Sequence, residues 1–333
     1  MPVYNGQFFL KEAIDSILNQ SYTNFEFLII NDGSTDDSEK IINSYTDHRI
    51  VFINNAGNKG LIETLNSGIQ LSKGDYIARM DADDISLVNR IDKQVEFLDQ
   101  NPEIGLLGSN YTIFGDKSED VEYPSVHDDL KLACLMYNPF CHPSVMFRKS
   151  VLEKNKICFE KKYIHAEEYK VWSEILSISK GHNLSEKLIK YRFHEAQVSQ
   201  VHAQKQKEVS KLIRTEYLKN AGFELTGRDL LAVWNLQEKE GLQSVETATS
   251  ILTGMESIMK QNESIQFFDP IKLNKLLGHH YKNILLELKF LDNVLYEKYK
   301  NTVRIETISW TMRQKLSIFA KYIKGKCIKI PKS

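Results

Sequence analysis

The feature that most constrains the fold is an alternation of short β-rich runs with helical stretches over the first 110 residues. The sequence predicts strands at 25–30, 49–53, 75–80 and 104–108, and helices at 8–19, 35–45, 60–71 and 88–100. Strands that alternate with helices along a chain usually pair in parallel under a layer of helices, so this pattern predicts a Rossmann-like α/β domain with a mostly parallel sheet. In such sheets, ligands bind at the carboxyl ends of the strands.

The character of the sequence changes near residue 201. Beyond it, amphipathic helical patterns succeed one another at 204–221, 227–240, 243–261, 270–290 and 292–300, while Pro and Gly become sparse. A chain of 333 residues also exceeds the usual length of one domain. We therefore predict a first domain over 1–200 and a helical C-terminal appendage over 201–333.

The start of the chain is unusual for an α/β domain, which normally opens on a buried strand. Pro2-Val3-Tyr4-Asn5 has the character of the tail of such a strand. We expect the first strand to be truncated at the N-terminus, so that Met1 lies several residues after the point where this strand would begin. In-frame upstream codons for an apolar β-rich run would support this hypothesis, whereas a stop codon directly before Met1 would contradict it.

Composition narrows the class of protein. The four cysteines form no C-x-x-C pair, which argues against a zinc knuckle or disulfide framework and favours the reduced thiols of a cytoplasmic protein. No run of 18 apolar residues predicts a transmembrane helix, and the first residues lack the regions of a signal peptide. With a net charge of −1, nothing global indicates a nucleic-acid partner.

The segment Arg79-Met80-Asp81-Ala82-Asp83-Asp84 places three carboxylates within four residues, directly after a predicted strand. Such groups repel one another and cannot be buried unpaired at low cost. A divalent cation would bring them together, because Mg²⁺ is usually shared between one or two carboxylates and substrate phosphates. The alternative is a solvated acidic turn. Asp32 also follows a predicted strand, so both acidic sites fall at carboxyl ends of strands.

Five separated motifs occur in a recognisable order and spacing. They are Pro2-Val3-Tyr4-Asn5-Gly6, Asn31-Asp32-Gly33-Ser34-Thr35-Asp36, Asn58-Lys59-Gly60, Met80-Asp81-Ala82-Asp83-Asp84 and Ala166-Glu167-Glu168-Tyr169. Together they resemble the family 2 glycosyltransferases, which have the GT-A fold, and the resemblance covers roughly residues 1–200. It implies transfer of a sugar from a nucleotide-diphosphate donor, with inversion at the anomeric carbon. UDP is the nucleotide that the resemblance favours.

The resemblance also implies roles for individual residues. Those expected to bind the nucleotide are Pro2, Tyr4, Asn5, Asp32, Lys59, Arg79 and Asp81. Pro2 and Tyr4 would form a wall against the base and ribose, or belong to an ordinary turn. Asp32 would contact the base; its alternative is a helix-capping role. Lys59 would offer a charge to phosphate, or lie in a solvated loop. Arg79 would pair with Asp81 or with phosphate, and the residues leave both open.

The metal, Mn²⁺ or Mg²⁺, is expected on Asp83, with Asp81 and His194 as further candidates. Asp81 alternatively binds ribose or a water on the metal, and His194 alternatively lies on the surface. The cation would neutralise the departing diphosphate, so no protein general acid is required. Imidazole is an acceptable extra ligand for Mn²⁺.

The base that takes the acceptor's proton is, by the resemblance, the second acid of a Glu-Asp pair. Here the pair is Glu167-Glu168, and adjacent helical residues do not share a face, so one of them is expected to face the donor. We predict Glu168, with Glu167 as the second candidate. Their alternative role is a favourable acidic first turn of a helix. His142 is expected to be structural or to face the acceptor.

The C-terminal segment 310–333 carries seven Lys or Arg residues and no acid, with apolar residues among them. Such a basic amphipathic stretch is typical of a helix on a membrane surface, here the inner face of the cell membrane, or of a solvated tail helix. The first alternative suits a lipid-linked acceptor and a role in cell-surface polysaccharide biosynthesis.

Two other functions are alternatives to glycosyl transfer. A sugar-nucleotide pyrophosphorylase shares the layered architecture, but its Gly-rich basic loop is not matched by Pro2-Val3-Tyr4-Asn5-Gly6. A degenerate, non-catalytic sugar-nucleotide-binding or scaffold protein would account for the altered Glu167-Glu168 pair. Donor binding without turnover would favour this last function.

Overall fold

The structure is a computed structural model that describes residues 1–194, 202–236, 244–303 and 309–328. The strands are β1 Pro2–Val3, β2 Phe27–Asn31, β3 Ile50–Asn54, β4 Tyr76–Ala78, β5 Ile85–Ser86, β6 Ile104–Gly115, β7 Glu119–Val121, β8 Met146–Arg148 and β9 Lys180–Phe193. The α-helices are α1 Leu10–Leu18, α2 Ser38–Asn43, α3 Leu61–Leu71, α4 Arg90–Gln100, α5 His127–Ala133, α6 Lys149–Asn155, α7 Glu167–Ile178, α8 Ala203–Asn220, α9 Gly227–Asn235, α10 Val245–Ile265, α11 Pro270–Glu287, α12 Asn293–Val303 and α13 Met312–Ile328. The predicted helical positions 237–240 and 243, and residues 329–333 of the basic tail, lie outside the described residues.

A parallel three-stranded sheet of order β1-β2-β3 opens the fold. Its register pairs Pro2 with Ile30 and Phe27 with Ile50. Helix α1 packs on this sheet because its apolar residues recur at helical spacing and are buried. They are Leu10, Ala13, Ile14 and Ile17. The opening residues therefore form a short strand, and they carry Tyr4 and Asn5 to the carboxyl edge of the sheet.

The second sheet is mixed, and most of its strand pairs are antiparallel. Its main path is β4-β8-β6-β9-β5, with β7 added to β6. Strands β6 and β9 run parallel, but β4–β8, β6–β8, β5–β9 and β6–β7 are antiparallel. Strand–helix alternation is broken in this part of the chain, because β5 follows β4 and β7 follows β6 with no helix between them, and antiparallel neighbours need no helical crossover.

The chain separates into two compact units. The first contains Met1–Cys134 and Asn138–Ile213, and the second contains Leu135–Tyr137 and the chain from Arg214 onward. The predicted boundary at residue 200 lies ahead of the observed division, which falls within α8. The second unit is helical in its described part, as predicted. Within the described ranges, no helix is long and apolar enough to cross a membrane.

Candidate active site

Asn5 connects the end of β1 to the loop after β2. Its backbone is left-handed, with φ of 51°. The backbone N–H of Asn5 donates to Ser34 Oγ at 2.9 Å, and its side-chain Oδ1 accepts from the Thr35 N–H at 2.8 Å. Tyr4 beside it is 53% exposed. The turn is therefore held by Asn5, while the ring of Tyr4 is presented to solvent.

Asp32 at the end of β2 is buried and organises the loop that carries Lys59. Its Oδ1 accepts from the Lys59 N–H and from Asn55 Nδ2, both at 2.9 Å, and its Oδ2 accepts from the Gly60 N–H at 2.9 Å. Burial acts to raise the pKa of Asp32, but these hydrogen bonds outweigh it and lower the pKa. Most of the acceptor capacity of Asp32 is thus used within the protein, and its predicted contact with a base stays a prediction. Lys59 itself is exposed.

Gly33 permits the same two loops to approach. It adopts φ of +71°, and a Cβ there would stand 2.6 Å from the Gly57 carbonyl carbon. A side chain is excluded by both the backbone conformation and the space. Gly6, after β1, lies against the acidic loop, since a Cβ built on it would be 3.7 Å from Ala82 Cβ. The loops after β1, β2 and β4 are therefore neighbours, although β4 belongs to the second sheet.

Arg79 and Asp81 form an ion pair just beyond β4. Arg79 Nε also donates to His142 Nε2 at 3.0 Å. Burial, reinforced by the Arg79 cation, lowers the pKa of His142 to about 3, so its imidazole is neutral and its Nε2 lone pair is available to Arg79. Burial acts to raise the pKa of Asp81, but Arg79 outweighs it and the pKa is lowered. The pairing alternative for Arg79 is thus the one present here.

Arg90 is a fully buried cation that sequence inspection did not select. Its Nη2 donates to the Arg79 carbonyl at 2.7 Å, and its Nε donates to Gln94 Oε1 at 3.0 Å. Gln94 in turn donates to the Ser144 carbonyl at 2.8 Å. Arg90 and Gln94 are one helical turn apart in α4. From the sequence alone, this spacing is that of an ordinary solvent-exposed polar face. Together they hold the backbone from which the acidic loop projects.

Asp83 lies beside His194, at the end of β9. The distance from Asp83 Oδ2 to His194 Nε2 is 3.3 Å. Burial and the neighbouring Asp81 charge raise the pKa of Asp83. Arg192 supports the same loop, because its backbone N–H donates to Asp84 Oδ1 at 2.7 Å and its Nε donates to the Asp83 carbonyl at 2.8 Å. The structure therefore brings together two of the three predicted metal ligands.

Asp84 has the least favourable environment for a charged carboxylate in the acidic loop. Its Oδ2 is buried and has no hydrogen-bond partner among the described residues. Burial, then the charges of Asp81 and Asp83, raise the pKa of Asp84 well above its usual value. Among the described residues, Asp83 and Asp84 have no direct ion pair with an Arg or Lys, whereas Asp81 has one with Arg79. A divalent cation fits this loop, because it would relieve both the repulsion and the burial penalty.

The protein alone does not complete a metal shell in the part of the chain that is described. No group of three or more His, Cys, Asp or Glu side chains converges there as a metal site. This arrangement suits a cation held by one carboxylate together with substrate phosphates and water, as Mg²⁺ usually is. His194 would be an additional ligand, suited to Mn²⁺. The arrangement is unsuited to a permanent structural ion.

Glu167 and Glu168 form the first turn of α7, after Ala166. Glu167 is buried, and its Oε2 has no hydrogen-bond partner among the described residues. Glu168 is half-buried. Burial, followed by the Glu167 charge, raises the pKa of Glu168 to about 8. Helix α7 lies near the start of the acidic loop, because its Trp172 ring is 6.0 Å from the ring of His142, which accepts from Arg79 Nε.

The structure thus gathers most of the predicted residues at one edge. The acidic loop, its Arg79–Asp81 pair, the Asp83–His194 pair and the two glutamates interact electrostatically. His142 was predicted to be structural or to face the acceptor, and in the structure it fixes the side chain of Arg79. The sequence of the Asn138–Ser144 loop gave little indication of this partner. The roles of Pro2, Tyr4 and Lys59 remain predictions.

Comparisons with known proteins agree with this geometry. The sequence profile of Glycosyl transferase family 2 matches residues 1–155. An uncharacterized glycosyltransferase from Haemophilus influenzae is 38% identical over 241 residues, which cover 67% of this chain and 74% of the relative. The O-antigen biosynthesis glycosyltransferase WbnJ from Escherichia coli is 33% identical over 205 residues, covering 58% of this chain and 78% of WbnJ.

Among solved structures, residues 1–349 of S. aureus TarS superpose with a TM-score of 0.59. The match covers 97% of this chain and 90% of that chain at 16% identity, so it bears on the fold alone. It confirms the predicted GT-A fold followed by helices. The family profile, the Haemophilus relative and the acidic site at the sheet edge lead to one conclusion: the chain belongs to glycosyl transferase family 2.

Proposed function

We propose that the protein transfers a hexose from a UDP-sugar to a hydroxyl group of a glycan or lipid-linked acceptor, with inversion at the anomeric carbon. The observation that carries the proposal is the acidic loop after β4, with its Arg79–Asp81 ion pair and with Asp83 Oδ2 at 3.3 Å from His194 Nε2. Burial in addition raises the pKa of Glu168, the candidate base, to about 8. A carboxyl of this kind is suited to general-base chemistry near neutral pH. Two comparisons support the substrate classes. A TarS structure contains UDP-GlcNAc, and the name of WbnJ assigns that relative to O-antigen biosynthesis.

The nucleotide would lie over the β1 and β2 loops. Tyr4 is exposed where a base or ribose could stack, with Pro2 behind it in β1. Asn5 fixes this turn, and Asp32 fixes the loop that presents Lys59. The exposed Lys59 ammonium is available for a phosphate oxygen. In this arrangement, Asp32 acts by holding the loop as well as by any contact with the base.

The diphosphate would lie at the acidic loop. Asp83 and His194 are the residues placed to hold Mn²⁺ or Mg²⁺, with Asp81 available through a water or the ribose. The cation would supply charge neutralisation of the leaving diphosphate. Arg79 keeps Asp81 ionised and fixed, and Arg192 and Arg90 hold the loop backbone.

Glu168 would take the proton from the acceptor hydroxyl as its oxygen attacks the anomeric carbon. The new glycosidic bond forms while the bond from that carbon to the diphosphate breaks, so the configuration inverts. Glu167 keeps the neighbouring environment negative, which raises the pKa of Glu168 and makes its carboxylate a stronger base. A cytoplasmic location is part of the proposal and rests on the cysteine pattern.

The test of the donor site is calorimetry of UDP binding to the full chain, with and without Mn²⁺. We expect tight binding that requires the metal, because the diphosphate and the acidic loop repel each other without it. ADP serves as the control for base selectivity. Equal binding with and without metal would contradict the proposed metal role. Failure to bind UDP, GDP and TDP would favour the non-catalytic scaffold function.

A further inference from the structure

Helix α13 exposes a continuous apolar stripe. Four large apolar residues are spaced by four, three and four positions, so they lie on one face of the helix. They are Met312, Leu316, Phe319 and Ile323, which are 71, 61, 51 and 44% exposed. The helix begins at a fixed point, since the Thr311 N–H donates to Gln314 Oε1 at 3.0 Å and the Gln314 N–H donates to Thr311 Oγ1 at 3.3 Å.

The opposite face of α13 is the one packed within its own unit. Ile318 is fully buried, and Gly325 approaches the backbone so closely that a Cβ there would stand 2.1 Å from the Leu291 carbonyl oxygen. Lys321 donates to the Leu286 carbonyl on the same side. The core therefore uses one face of this helix and leaves the apolar stripe outside. Four such residues in water are costly unless another surface covers them.

Cations flank the stripe on both sides. At 100° per residue, Arg313 and Lys324 fall on one flank, and Lys315 and Lys326 fall on the other. The whole segment 310–333 contains no Asp or Glu. A surface with an apolar centre and cationic borders is complementary to a layer whose interior is apolar and whose outer groups are anionic. This is the pattern of helices that lie in the plane of a membrane interface.

We infer that α13 is an interfacial helix that docks the protein on an anionic lipid surface. The stripe enters the boundary between headgroups and acyl chains, and the four flanking cations face lipid phosphates. The contact lies in the helical unit and does not depend on the glycosyl-transfer site. Its consequence for the enzyme is concentration at a membrane, where a lipid-linked acceptor would be found.

The test is flotation of the intact protein with vesicles, in the absence of donor. Vesicles of equal parts phosphatidylglycerol and phosphatidylcholine should bind the protein. Vesicles of phosphatidylcholine alone should bind it at least about tenfold more weakly, because each cation contributes about a fivefold change in partitioning. High salt should have the same effect. Two variants, Leu316→Ser/Phe319→Ser and Arg313→Gln/Lys324→Gln, should each weaken binding about tenfold or more.

Matched controls lie elsewhere in the same unit. Ile271 and Val294 are 70 and 52% exposed, so Ile271→Ser/Val294→Ser removes comparable apolar surface away from the stripe. Lys275→Gln/Lys289→Gln removes two exposed cations. Both controls should bind like the unaltered protein. The inference is overturned if anionic vesicles do not bind the protein, or if stripe and control variants bind alike. It is also overturned if light scattering shows a dimer that Leu316→Ser/Phe319→Ser dissociates. Calorimetry with UDP reports on the donor site separately.

Discussion

Replacing Glu168 with Gln should lower kcat for sugar transfer by about 10²–10⁴-fold, which is the usual contribution of a positioned general base. The amide keeps the size and hydrogen-bonding capacity of the side chain but cannot accept the proton of the acceptor hydroxyl. UDP affinity should be nearly unchanged, because Glu168 is assigned to the acceptor side of the reaction. Transfer kinetics and UDP calorimetry on the same preparation measure both quantities.

The pH profile provides an independent test of the same assignment. A base acts in its ionised form, so kcat/KM should rise as pH increases through the pKa of Glu168, which is about 8 in the metal-free protein. A cation bound at Asp83 would favour ionisation and move this inflection to lower pH. The rising limb should vanish in Glu168→Gln.

Glu167→Gln is the matched control for this experiment. It makes the same chemical change one residue earlier, at a buried carboxyl whose Oε2 has no partner among the described residues. Removing the Glu167 charge should lower the pKa of Glu168 and shift the inflection to lower pH, with a smaller loss of kcat. A large loss in Glu167→Gln together with near-normal kcat in Glu168→Gln would reverse the assignment of the base.

Replacing Asp83 with Asn should abolish metal-dependent UDP binding and lower transfer by about 10²-fold or more, since electrostatic stabilisation of a leaving group is worth several kcal/mol. The stability of the fold should not fall, because burial and the Asp81 charge already disfavour the ionised form of Asp83. Loss of metal binding without loss of thermal stability is the outcome that separates a ligand from a structural residue.

Asp75→Asn is the control for Asp83→Asn. Asp75 is exposed and precedes β4, whereas Asp83 follows it, so the control changes the same charge away from the sheet edge. It should retain metal-dependent binding and transfer. Retained metal-dependent transfer in Asp83→Asn would contradict the metal assignment, whatever the result for UDP alone.

Much of the fold could be predicted from local sequence patterns. The spacing of Ala13, Ile14, Ile17 and Leu18 predicts α1, and the apolar run at 25–30 predicts β2, because both depend on the periodicity of a single element. The mixed second sheet could not be predicted in this way. Its strand directions depend on which distant segments pair, such as β8 with β6, and periodicity contains no information about partners.

The candidate site shows the same division. The sequence by itself determined the acidic run, the Glu167-Glu168 pair and the edge of the sheet where they fall, because residue type and strand order are local properties. Only the tertiary structure decided that Arg79 is engaged by Asp81 and His142, that Arg90 is a buried support, and that Glu168 has a raised pKa. The physical reason is that burial and charge–charge interactions arise from residues that are distant in sequence and adjacent only in the folded chain.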